Sequence, residues 1–222
     1  MRSNQELNPR FTASQLWTHN RGPGGELKNL VANKSGDGKP WTAFSHSGKE
    51  RNRLFLNQAG ERFLNISGLS GADSVLDGRS FVHWDFNRDG KTDIAVVNAN
   101  QTLLQIFENQ SRNENHFIAF RVEGDFSKNA KPLTSSRDAI GTKLILRSQN
   151  QSILRTLSCG EGFASQNSRT LLVGIGKHET IESATIHWPS GTSVTVENVP
   201  AGKLVTVKES GGSPQIENYS ID

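Results

Sequence analysis

The fold is decided by the stretch Phe81-Val-His-Trp-Asp85-Phe-Asn-Arg-Asp89-Gly-Lys-Thr-Asp93-Ile-Ala-Val-Val97. Two short apolar runs, Phe81–Trp84 and Ile94–Val97, have the length and the β-branched and aromatic content of strands. The loop between them is rich in Asp and Asn and contains Gly90, a composition typical of tight turns. The stretch therefore predicts a strand, a polar loop and a second strand.

The same pattern continues along the chain, and it predicts an all-β fold. Short apolar runs are broken by Gly, Asn, Asp, Ser or Pro, and no long stretch keeps the 3.6-residue period of an amphipathic helix. The predicted strands are Lys28–Ala32, Trp41–Ser45, Arg53–Asn57, Phe63–Ile66, Ser80–Phe86, Asp93–Asn98, Leu103–Glu108, Phe117–Glu123, Thr142–Arg147, Ile153–Ser158, Thr170–Ile175, Ser183–Trp188, Ser193–Val196 and Leu204–Lys208.

Composition narrows the class of protein. The 222 residues carry 25 Lys and Arg against 22 Asp and Glu, so the net charge of +3 gives no general reason to expect a nucleic-acid partner. We expect no membrane span and no signal peptide, because no apolar run is long enough for either. The single cysteine, Cys159, excludes an intramolecular disulfide, and we expect it to be a small core residue.

Composition changes along the chain predict four regions. We expect an N-terminal extension with short strands over residues 1–45 and a repeat-like region with the polar loop over 46–110. A second domain is expected over 111–209, followed by a flexible tail over 210–222 that starts at a Gly- and Ser-rich segment.

The polar loop also predicts a calcium site. Side-chain oxygens recur at alternate positions, Gly90 allows a sharp turn, and hard oxygen ligands suit Ca²⁺. The predicted ligands are Asp85, Asn87, Asp89, the carbonyl of Lys91, and Asp93. The EF-hand pattern fails because Val96 occupies the twelfth position, where a bidentate Glu is required. The alternative is a solvated, Asx-rich hairpin.

Two groups of motifs resemble known families. The loop and its flanking strands resemble the FG-GAP/VCBS repeat of integrin-α-like β-propellers, as a partial blade-like antiparallel sheet. Later segments resemble the β-sandwich-like ASPIC/UnbV module: Arg137–Gly141, Gly160–Gln166, Val173–Gly176 and Ile186–Gly191. This order of modules is similar to that of the cartilage acidic protein 1 (CRTAC1) family.

The resemblance implies an extracellular or envelope-associated, calcium-binding adhesion or interaction protein without an assigned catalytic activity. The expected partner is a protein or a glycan. An unclosed blade leaves unpaired strand edges, so a homodimer formed through those edges is a further expectation.

A different class of function, an enzyme acting on a small organic substrate, rests on His83, Glu50 and Asp77 as candidate acids or bases. Salt bridges from Glu50 to Arg79, or from Asp77 to Arg51, are the more common use of such charges. Glu161 and Gln166 are candidates for lining a groove of the second module, with a loop packed for shape as the equal alternative.

Overall fold

The protein is described by a computed structural model that covers residues 50–98, 103–126, 134–148 and 151–220. These residues form β-strands and one short helix. The elements are β1 (Phe55–Gln58), β2 (Arg62–Asn65), α1 (Ser67–Ser70), β3 (Gly78–Trp84), β4 (Asp93–Asn98), β5 (Leu104–Phe107), β6 (His116–Glu123), β7 (Lys143–Ser148), β8 (Gln151–Thr156), β9 (Leu171–Gly176), β10 (Thr180–His187), β11 (Ser193–Pro200), β12 (Lys203–Lys208) and β13 (Gln215–Asn218).

The chain divides into two compact units, and the division does not follow chain order. The first unit is the described part of Met1–Ser80 with Ala95–Phe107, and the second is Phe81–Ile94 with Glu108–Asp222. The polar loop therefore groups with the second unit, whereas the composition of the chain predicted it within the region 46–110.

Two four-stranded sheets form a sandwich in the second unit. Their strand orders are β11-β10-β7-β8 and β13-β12-β6-β9. Strands such as β7 and β10 alternate buried with more exposed side chains, and buried side chains from both sheets meet in one apolar core. Phe120 of β6, Leu144 of β7 and Ile186 of β10 are fully buried there. Burial of this common core is the main contribution that holds the two sheets together.

The second of these sheets contains one parallel pair. β12 runs parallel to β6, with Leu204 opposite Ala119 and Val207 opposite Val122, and antiparallel to β13. β6 also pairs antiparallel with β9. The last long strand of the chain is thus an inner strand of a sheet that begins near residue 116.

The first unit contains the hairpin β1–β2, in which Phe55 is paired with Asn65, and the helix α1.

The strands β3, β4 and β5 form a three-stranded sheet in that order. Large apolar side chains are exposed on these elements, including Phe63 of β2 and Leu104 and Ile106 of β5.

The all-β prediction is confirmed. Each predicted strand within the described residues overlaps an observed one, while Lys28–Ala32 and Trp41–Ser45 lie outside the described residues. No helix among the described residues is long and apolar enough to cross a membrane.

Two expectations about the second unit are corrected. The tail expected to be flexible contains β13, which the sequence did not reveal because Gln215–Asn218 has one apolar residue and depends on pairing with β12. It is followed by the buried Tyr219, which packs edge-to-face on Phe117 at a centroid distance of 5.4 Å. Cys159 is exposed in a loop and is not a core residue.

Candidate functional site

The polar loop joins the end of β3 to the start of β4, and its backbone is folded by its own side chains. The Asp85 carboxylate accepts hydrogen bonds from the backbone N–H of Asp89 (3.1 Å) and of Gly90 (2.7 Å). The Asn87 side-chain oxygen accepts from the same Asp89 N–H at 3.2 Å. Oxygens from two alternate residues, Asp85 and Asn87, therefore converge on one donor.

Asp93 closes the loop from the other side. It is 1% exposed, and its carboxylate accepts the N–H of Phe86 at 3.1 Å and the N–H of Asn109 at 2.8 Å. The Asn109 amide group in turn donates to the Thr92 carbonyl at 3.2 Å. Asp93 thus ties both ends of the loop to the segment that follows β5.

Asp89 is the exposed acid of the loop. One of its oxygens accepts the Lys91 N–H at 2.9 Å, and the other forms an ion pair with the Lys91 ammonium at 3.1 Å. Its neighbours Arg88 and Gly90 both have positive φ, +57° and +83°. A side chain at Gly90 would overlap the ring of Phe117, so the backbone lies directly against that ring.

The loop carboxylates influence one another. Burial raises the pKa of Asp85 above its ordinary value, and the charges of Asp89 and Asp93 raise it further, against the backbone hydrogen bonds from Gly90 and Asp89. Burial also opposes ionisation of Asp89, but hydrogen bonds and charge from Lys91 outweigh it and lower that pKa.

Tyr219 is a partner of the loop that sequence reasoning missed. Its ring centre lies 6.0 Å from the Arg88 guanidinium carbon, and its hydroxyl is near enough to the Asp85 carboxylate for the charge of Asp85 to act on it. Burial, together with the Asp85 charge and hydrogen bond, raises the pKa of Tyr219 to about 12. Nothing in the local sequence signals this contact, because β13 brings Tyr219 back from far along the chain.

The side chains and the carbonyl of the loop form a set of candidate metal donors. All five predicted ligands offer hard oxygens, which suits Ca²⁺ and not Zn²⁺. Within the described residues, no three Asp, Glu, His or Cys side chains are gathered as a metal cluster. The carboxylates are occupied by backbone N–H groups and, at Asp89, by the Lys91 ammonium. Each N–H takes one lone pair of a carboxylate oxygen and leaves the other available for a further contact.

A groove of about 700 Å³ opens beside the loop within the second unit. Its lining includes Asp89–Thr92 of the loop, the polar segment after β5, and Phe117 and Gly174 of the sandwich. The lining thus combines charged and polar side chains with the apolar surface of Phe117 and Leu172.

The three candidate acid and base residues have different environments. Asp77 is buried in the first unit and pairs with Arg79 at 2.6 Å, and Glu50 of the same unit is exposed. His83 belongs to the second unit. Asp77 is therefore held by Arg79, not by the expected Arg51, which instead pairs with Asp73 at 2.7 Å.

A smaller cleft of the second unit contains His83, Asp85 and Glu161. Glu161 thus lines a cleft, as one of the two alternatives predicted. Gln166 instead stabilises the loop around it. Its side-chain oxygen accepts the Gly160 N–H at 3.0 Å, and its side-chain amide group donates to the Ser158 carbonyl at 3.3 Å.

Comparisons with known proteins identify one part of the chain. No curated protein matches it. The family model described as ASPIC and UnbV matches residues 132–214, a range that contains β7 to β12 of the sandwich. The resemblance to the FG-GAP/VCBS repeat stays a prediction. Residues 132–214 are an ASPIC/UnbV domain.

Proposed function

We propose that the Asp85–Asp93 loop binds Ca²⁺ and that the protein is a calcium-stabilised adhesion or interaction module, acting by binding and not by catalysis. The observation that carries this is the convergence of Asp85 and Asn87 oxygens on the Asp89 N–H. A loop curled in this way turns alternate oxygens to one side before any cation arrives.

Calcium would be held by Asp85, Asn87, Asp89, the Lys91 carbonyl and Asp93. It would supply charge compensation for three carboxylates that otherwise repel one another. The Lys91 ammonium now performs part of that task at Asp89, and we propose that calcium displaces it. Loss of a surface ion pair costs little, about 0.2–1 kcal/mol.

The proposal extends to the surroundings of the loop. We propose that β3, β4 and β5 are an FG-GAP/VCBS-like sheet, which the exposed Leu104 and Ile106 support because blade sheets pack on neighbouring sheets. The groove beside the loop is the proposed contact for a protein or glycan partner. An extracellular or envelope location accords with calcium modules whose Kd is about 10⁻⁴–10⁻³ M.

The test is a thermal melt of chelated protein titrated with Ca²⁺ and, separately, with Mg²⁺. At about 10 mM Ca²⁺ and a Kd of about 10⁻⁴–10⁻³ M, binding to the folded state adds about 1.4–2.7 kcal/mol to the free energy of unfolding. We expect a rise in Tm that is specific to calcium.

Three variants make the test specific to the loop. Asp89→Asn keeps the side-chain shape but removes a ligand charge, so the calcium-dependent rise should disappear. Asp138→Asn makes the same chemical change at a surface acid paired with Arg137, and it should keep the full rise. Lys91→Gln removes the competing ammonium and should tighten calcium binding by about 1.4- to 5-fold.

The proposal fails if wild-type protein shows no calcium-specific rise, or if Asp89→Asn and Asp138→Asn respond alike. Asp93 is avoided as the test position, because its two backbone hydrogen bonds make any loss there a folding defect.

A further inference from the structure

The smaller cleft of the second unit has a volume of about 220 Å³. We name it the Tyr219 cleft; it is formed by the end of β3, the loop before β9, and the residue that follows β13. The lining residues used below are His83, Trp84, Asp85, Arg155, Glu161 and Tyr219. All of them belong to the second unit.

Glu161 is fixed in place at the wall of this cleft. Its carboxylate accepts a hydrogen bond from the Asn167 amide at 2.5 Å and one from the Ser158 hydroxyl at 2.9 Å. Asn167 is 8% exposed and is itself held, since its side-chain oxygen accepts the His83 N–H at 3.0 Å. The Glu161 side chain is exposed, and its carboxylate is oriented by the hydrogen bond from the buried Asn167, which the His83 N–H holds in turn.

The remaining wall combines polar and aromatic groups. The Asp85 carboxylate is fixed by the backbone N–H groups of Asp89 and Gly90. Trp84 and Tyr219 supply ring surface, and Arg155 and His83 supply N–H donors. The cleft thus offers oriented acceptors, donors and aromatic faces within one small space.

We propose that the Tyr219 cleft binds one saccharide ring of a glycan. Sugar hydroxyls both donate and accept, so they can use the remaining lone pairs of the Glu161 carboxylate together with the donors of Arg155 and His83. The apolar face of a pyranose can lie on an aromatic ring such as Trp84.

Other ligand classes fit less well. Two carboxylates oppose a phosphate or another anion, and the Arg155 guanidinium opposes a simple cation. Drug-sized ligands occupy about 300–1,000 Å³, so a cleft of 220 Å³ suits a single ring and not a long chain. The rest of a glycan would then extend into solvent.

This inference names a ligand class for the proposed interaction role, and it rests on that role but not on calcium. The probes are glucose, galactose, mannose, fucose and N-acetylglucosamine, each titrated against the full chain by saturation-transfer NMR and by tryptophan fluorescence. Each titration is run once with a chelator and once with Ca²⁺, so that failure of the calcium site and failure of the cleft give different results.

The variants separate cleft binding from surface effects. Glu161→Gln keeps the shape but loses the charged acceptor, so affinity for the bound sugar should fall about tenfold. Glu197→Gln makes the same change at an exposed position of β11 and should leave affinity unchanged. His83→Gln is the second cleft variant, and thermal melts establish that each variant is folded.

Binding of one of the sugars at millimolar concentration, lost in Glu161→Gln and kept in Glu197→Gln, supports the inference. It is overturned if no sugar binds with or without calcium, if the cleft and control variants respond alike, or if inorganic phosphate or methylamine competes as well as the sugar.

Discussion

The contact between Gly90 and the Phe117 ring gives the sharpest stability prediction. Gly90 has φ +83°, where an alanine costs about 1–2 kcal/mol through left-handed strain alone. An alanine Cβ would also overlap the Phe117 ring, which is packed against Tyr219. Displacing a packed ring costs about 1–3 kcal/mol more. We therefore expect Gly90→Ala to lower the free energy of unfolding by about 2–5 kcal/mol.

Gly191→Ala is the matched control. Gly191 lies in the same unit, has φ +91°, and a Cβ there would meet no atom within 4 Å. Gly191→Ala should lower the free energy of unfolding through backbone strain alone, by about 1–2 kcal/mol. The extra loss at Gly90 should lower Tm by roughly 2–12 °C more than the control, at about 2–4 °C per kcal/mol for a chain of this size.

A double-mutant cycle measures the steric contact directly. Gly90→Ala is made in the wild-type chain and in the Phe117→Ala variant, and the free energy of unfolding is measured in urea with a chelator present. Without the ring, Gly90→Ala should cost no more than Gly191→Ala, which gives a coupling free energy of about 1–3 kcal/mol. Equal costs of Gly90→Ala in both backgrounds would refute the steric argument and leave only backbone strain.

Two further predictions concern the sandwich. Phe120→Ala, at a fully buried position, should cost about 3–5 kcal/mol in urea unfolding, whereas Phe163→Ala, at a position that is 77% exposed, should stay within about 0.5 kcal/mol of wild type. Burial opposes ionisation of Glu209, but hydrogen bonds from the Ser190 hydroxyl, the Asp125 N–H and Ser135 outweigh it and lower its pKa. The folded-state pKa thus lies below the unfolded one, so this stabilisation is present above the unfolded pKa and is lost as the pH falls through the folded pKa. Glu209→Gln should therefore destabilise at neutral pH and weaken the acid dependence of Tm, and an unchanged pH profile would contradict this role.

The strands could be predicted because their signal is local. Alternation and turn residues within a few positions fix a segment such as Phe117–Glu123, and the structure forms β6 there. The polar loop was identified for the same reason, since its side chains bond to its own backbone. Its sequence therefore carried most of the information about its geometry.

The remainder of the site depends on partners distant in sequence. The bond from the His83 N–H to Asn167 spans 84 residues, and Tyr219 reaches Asp85 only through the pairing of β13 with β12. Neither Asn167 nor Tyr219 belongs to a recognisable motif. Tertiary pairing decides such contacts, and one sequence holds no periodic signal for them.

The parallel pairing of β12 with β6 has a consequence for synthesis of the chain on the ribosome. Residues Leu204–Lys208 fill an inner position next to Ala119–Glu123, so this sheet stays incomplete until nearly the whole domain has been translated. During that interval β6 presents an edge of unpaired backbone N–H and C=O groups, which favours transient aggregation or chaperone binding. A slow final stage of co-translational folding, completed only after the last strand leaves the exit tunnel, follows from this topology.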